Sequence, residues 1–150
     1  MFSPSRDQAR QFFFDTWTKY RAGEALTGLE STALEVILAH AEYHAILDRP
    51  AQYQHRDYLP EPGDINPFLH LSLHLAIAEQ LAIDQPRGLR ALYDDLAREK
   101  ADSHAALHDI LECLGETIWQ AQRSGSAPDE TFYLDCVRQR LAHDKTKRSP

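Results

Sequence analysis

The chain has 150 residues, with 16 Lys and Arg against 23 Asp and Glu and a net charge of −7. This length suits one domain with a substantial hydrophobic core, and the acidic balance argues against a nucleic-acid-binding groove. No apolar run approaches the length of about 18 residues that a membrane span needs, so we expect no membrane contact. The N-terminal residues lack the order of a signal peptide, and we therefore expect a cytoplasmic protein with Cys113 and Cys136 reduced.

The first half of the chain is predicted to be helical, because apolar residues recur at spacings of three and four. A first helix covers about residues 5–21. Thr27 and Glu30 have the spacing of a capping box, which opens a second helix that ends before Pro50. The sequence leaves open a break of that helix around residues 39–41. Residues 50–64 are predicted to form a loop, because three prolines and a glycine interrupt regular structure.

The second half continues the helical pattern. Asn66 and Pro67 begin a helix that runs to about Ile83 and is apolar on all sides, as expected for a helix surrounded by protein. The following stretch is too long for one straight helix in a small domain, so we divide it into residues 86–100 and 104–122, with Asp102 or Ser103 as N-cap. A last helix begins near residues 126–129. The prediction is an all-α, single-domain bundle of about five to six helices over residues 1–144 and a basic, disordered tail over 145–150.

Six of the eight histidines form pairs with a separation of four residues. Random placement would give about 0.4 such pairs instead of three. On a helix this spacing places both side chains on one face, where two imidazoles can bind one ion. The pairs are His40 with His44, His70 with His74, and His104 with His108.

All three pairs lie on or beside the apolar stripe of their predicted helices, so we expect them to face inward. Glu112 continues the line of His104 and His108 by another turn and is the best-placed carboxylate. The sequence therefore predicts a His-rich site for one or two transition-metal ions, zinc or iron first, with these six histidines and Glu112 as ligands. His55 and His143 have no partner by spacing and are interpreted as surface residues.

Two other functions stay open at this point, and the sequence does not decide whether the protein is an enzyme. The adjacent His108 and Asp109, with His74 and Asp135 as further ligands, suggest a metal-dependent phosphohydrolase. Alternatively, the histidines are core residues of a metal-free interaction module. A homodimer and an unidentified small-molecule or protein partner are also left open.

Several strings of the sequence resemble an uncharacterised bacterial family, the domain of unknown function 1841. They begin with Phe2-Ser3-Pro4-Ser5-Arg6 and continue with Asn66-Pro67-Phe68-Leu69-His70, Asp84-Gln85-Pro86 and Glu112-Cys113-Leu114-Gly115-Glu116. The resemblance covers most of the chain and implies a small bacterial cytosolic protein. It brings no assigned activity, so the predicted chemistry rests on the histidines.

Overall fold

The computed structural model describes residues 6–58 and 66–148, and these residues form eight α-helices and a 3-10 turn without a strand. The all-α prediction is confirmed, although the helices outnumber the five to six expected. None of the described helices combines the length and apolar character needed to cross a bilayer. The chain divides into two compact units, Met1–Leu75 and Ala76–Pro150. The prediction of one domain over residues 1–144 stays a prediction.

The first unit contains α1 (Arg6–Ala22), α2 (Gly28–Leu38), the 3-10 turn (Ala41–Tyr43), α3 (His44–Leu47), α4 (Pro50–Tyr53) and the start of α5 (Pro67–Ile83). The capping box that begins α2 is present, because the Glu30 amide donates to Thr27 Oγ1 and the Thr27 amide donates to Glu30 Oε1. Asn66 caps α5 as predicted, accepting from the amides of Phe68 and Leu69.

In this unit the structure decides one point that the sequence left open, and it contradicts one expectation. The helix predicted from Thr27 to Pro50 is broken after Leu38, where His40 adopts φ −124° and ψ 65° outside the helical region. The predicted loop begins with a helical turn instead, since proline suits a first helical position and Pro50 starts α4. Residues 59–64 of that loop lie outside the described part of the chain.

The core of the first unit is built from α1, α2 and α5, with one charged side chain among the apolar ones. Arg10 is only 1% exposed, and its Nη1 donates to the carbonyls of Tyr53, Gln54 and Arg56. Its guanidinium also lies 4.8 Å from the ring centre of Phe68, and burial lowers the pKa of Arg10. The buried apolar residues are Phe13, Phe14, Trp17, Ala33, Ile37, Leu47, Phe68, Leu71 and Leu75.

The second unit contains the rest of α5 together with α6 (Leu89–Lys100), α7 (Ser103–Ser124) and α8 (Glu130–Arg148), and these last three pack against one another. The predicted break before α7 is confirmed, because Ala101 has φ 53° and Asp102 caps α7 by accepting from the Ala105 amide. The tail differs from its prediction: α8 continues through Lys145 to Arg148, and residues 149 and 150 lie outside the described part.

Cys113 and Cys136 join α7 to α8 by a disulfide, with their Cα atoms 5.7 Å apart. The expectation that both cysteines are reduced is therefore wrong for this structure. The two positions are 23 residues apart in sequence, and only the packing of α7 on α8 makes them neighbours. No cysteine is left free.

Candidate metal centre

His40 is held in place by the end of α2. Its Nδ1 lies 2.7 Å from the carbonyl oxygen of Val36. Because a carbonyl only accepts, this nitrogen must carry the proton, and in the neutral ring Nε2 then carries the lone pair. Metal-binding histidines commonly use the second nitrogen in this way, since a carbonyl partner fixes the tautomer and the ring orientation. The backbone around His40 therefore presents Nε2 in the form that binds a metal.

His70 and His74 meet His40 from α5, and we call these three residues the imidazole trio. The four-residue spacing places His70 and His74 side by side, with ring centres 4.7 Å apart. The His40 ring centre lies 4.9 Å from that of His70 and 4.5 Å from that of His74. The predicted meeting of histidines from different segments is thus present within the first unit.

The separation of two nitrogens in the trio has the size that a shared ion requires. His40 Nε2 and His70 Nε2 are 3.2 Å apart. Two nitrogens each 2.0–2.1 Å from a tetrahedral zinc ion would be about 3.3 Å apart. A ring nitrogen of His74 lies within 4.8 Å of a ring nitrogen of His40. The distance between His40 Nε2 and His70 Nε2 thus suits a hydrogen bond between the two rings and is also compatible with a shared ion.

Two histidines of the trio are buried and His70 is half-buried, and Tyr43 covers part of the trio. His40 is 1% and His74 4% exposed. The Tyr43 ring stacks on His40 with an interplanar angle of 7° and meets His70 edge to face. Burial raises the pKa of Tyr43, so its phenol stays protonated at neutral pH. Sequence reasoning missed Tyr43 as a neighbour of the site, because its position depends on the 3-10 turn that follows the break after α2.

His44 does not face the trio in the way its spacing predicts. The break between α2 and α3 removes the continuous helix on which the four-residue argument depends. His44 Nε2 lies 2.8 Å from the Ile37 carbonyl oxygen, and its ring packs 4.5 Å from that of Trp17. His44 therefore supports the turn around His40.

The second unit carries its own imidazole pair, His104 and His108, on α7. Their ring centres are 4.3 Å apart, and each ring offers a nitrogen within 4.8 Å of the other. Both side chains are half-buried. The helix between them is continuous, so the four-residue spacing places the two rings together as the sequence predicts.

The acidic residues near this pair form ion pairs with basic side chains. Glu112 Oε2 lies 2.6 Å from Arg140 Nη1, and the Glu112 side chain is 60% exposed. Asp109 contacts Lys100 Nζ at 2.8 Å through one oxygen and Arg140 Nη1 at 3.4 Å through the other. The Asp109 hydrogen bond raises the pKa of Lys100, so that pair stays charged. Glu112 would have to leave Arg140 to bind a metal, and Asp109 would have to leave both cations to act beside His108.

The profile of one protein family matches residues 5–139, which is most of the chain. The chain belongs to the family described as a domain of unknown function, DUF1841. The resemblance seen in the sequence strings is confirmed. None of the curated proteins and none of the solved structures compared with the chain matches it.

The DUF1841 match extends over the candidate site and the disulfide. Residues 5–139 include the imidazole trio, the imidazole pair, and both cysteines of the disulfide, whereas the lone His143 lies outside. As the family description names no activity, the chemistry must be inferred from the side chains themselves.

Proposed function

We propose that this protein binds a transition-metal ion, zinc or iron, through the imidazole trio of His40, His70 and His74. The observation that carries the proposal is the 3.2 Å separation of His40 Nε2 and His70 Nε2, which suits two ligands of one ion. Imidazole nitrogen is a ligand that zinc, iron, copper and nickel all accept.

The other predicted ligands are His44, His104, His108 and Glu112, and their participation stays a prediction. His44 and Glu112 would first have to give up the contacts with Ile37, Trp17 and Arg140 described above. His104 and His108 are candidate ligands of an ion within the second unit, because their rings lie side by side there. Metal content measured in a variant with both replaced by alanine decides whether they contribute.

The proposal is tested with untagged protein, because a purification tag of histidines would bind metal itself. We expect at least one equivalent of zinc or iron to remain after gel filtration. We also expect chelation to lower the melting temperature and zinc to restore it, because an ion that binds only the folded state stabilises it by about 2.7 kcal/mol at 100 times its Kd.

A different outcome would refute the metal proposal. Substoichiometric metal that does not rise on reloading, together with a melting temperature unchanged by chelator, would identify the protein as a metal-free helical module. That result would leave the imidazoles as core residues bonded to neighbouring groups.

We also propose that the protein is bacterial and lies in the cytoplasm, as expected from the sequence. Cell fractionation of the host checks the location, and recovery of the protein from an oxidising compartment would contradict it. We also propose a homodimer and an unidentified small-molecule or protein partner. Sedimentation of the purified chain tests the homodimer.

A further inference from the structure

The two cysteines of the disulfide between α7 and α8 differ in their exposure to solvent. Cys113 is fully buried in the second unit, at 0% exposed. Cys136 is partly exposed on α8. An attacking thiolate must approach a sulfur from outside, and access decides which sulfur is attacked. Cys136 is the more exposed of the two residues, so we expect attack at Cys136 Sγ with Cys113 Sγ as the leaving group.

α8 is also held to its unit by contacts that do not depend on the disulfide. Tyr133, Val137 and Leu141 are buried along one face of α8. Tyr133 Oη donates to Gln80 Oε1 at 2.7 Å, and Asp144 pairs with Lys100 at 3.0 Å. We therefore expect α8 to stay docked when the covalent bond is broken. A disulfide that can open without unfolding its domain has the property that a redox-responsive site needs.

We propose that Cys113 and Cys136 form a reversible redox modification site. A dithiol reductant attacks Cys136 Sγ, the bond between the two cysteines breaks, and Cys113 leaves and takes up a proton. The second thiol of the reductant then displaces Cys136 from the mixed disulfide. The products are two protein thiols and the oxidised dithiol, and a small disulfide such as oxidised glutathione drives the reverse reaction. This use fits a cytoplasmic protein, since cytosolic disulfides are usually redox-sensing or catalytic.

The consequence for the protein is a change in how firmly α8 is held. A cross-link between positions 23 residues apart restricts the unfolded chain, and its loss in a domain of this size is expected to lower the melting temperature by about 10–20 °C. The proposal does not depend on metal binding, and its test is carried out in the presence of a chelator.

The first measurement uses the oxidised full-length chain under native conditions. We expect a dithiol to release two alkylatable thiols, the circular dichroism of the helices to persist at 25 °C, and the melting temperature to fall. Release of thiols only after denaturation, or loss of helical signal on reduction, would overturn the proposal, because the bond would then be purely structural.

The second measurement asks which sulfur reacts. Cys113→Ala leaves Cys136 alone, and Cys136→Ala leaves Cys113 alone. Alanine is chosen because a serine hydroxyl at the buried position 113 would need a partner. With oxidised glutathione, we expect the chain that retains Cys136 to form the mixed disulfide at least tenfold faster. Equal rates, or faster reaction of Cys113, would contradict the assigned direction of attack. If a variant fails to fold, the alkylation rates of the two cysteines in reduced wild-type protein give the comparison.

Discussion

Replacing His40 and His74 together by alanine is expected to weaken zinc binding by more than about 100-fold, because even the loss of an outer-shell partner costs 10–100-fold. The substitution removes two of the three proposed ligands, and both of these side chains are buried. Competition with a chromophoric chelator at pH 7.5 measures the change in affinity.

The matched control for this double variant is His55→Ala with His143→Ala. It removes the same number of imidazoles, but from exposed positions. We expect its zinc affinity to match the wild type. If the two double variants lose affinity to the same extent while both keep their helical circular dichroism, the trio is not the binding site.

A loss of about 3 kcal/mol in the free energy of unfolding is expected for Arg10→Ala, because hydrogen bonds from a charged donor are worth about 1.5–3 kcal/mol and the substitution removes the donor of several. Arg10 donates to three carbonyls at the end of α4 and just beyond it, and its guanidinium lies over the Phe68 ring. Among the described residues, these contacts connect α1 with the segment that follows α4. Urea denaturation followed by circular dichroism measures the change.

Arg6→Ala provides the control for Arg10→Ala, since it removes the same type of side chain about one turn away on α1. Arg6 pairs with Asp57, and both side chains are exposed, at 55% and 79%. This exposed ion pair, and the exposed hydrogen bond from Arg6 Nη2 to the Arg56 carbonyl, contribute little to the free energy of unfolding. Equal destabilisation by the two substitutions would show that the Arg10 contacts do not hold the first unit together.

The ends of several helices could be predicted from the sequence because their causes are local. Thr27, Asn66 and Asp102 each accept from amides two or three residues further along the chain, and the side-chain type alone identifies such a cap. The continuation of α8 to Arg148 was missed for the opposite reason. A basic, polar segment gives no apolar pattern, yet it remains helical as the last turns of a helix anchored elsewhere.

The candidate site could be predicted only in part. The argument from four-residue spacing holds for His70 with His74 and for His104 with His108, because α5 and α7 are continuous. It fails for His40, which reaches the trio through a broken helix. The Cys113–Cys136 bond was missed because it depends on how two helices pack, and spacing along the chain carries no information on that.

The central claim is that His40, His70 and His74 converge on one ion, and a crystal structure of the zinc-loaded protein with anomalous data at the zinc edge tests it most directly. We predict a peak about 2.0–2.2 Å from His40 Nε2 and His70 Nε2, with a ring nitrogen of His74 in the same shell. Zinc found only at exposed histidines such as His55 and His143, with the trio rings bonded to each other and to protein groups, would contradict the account.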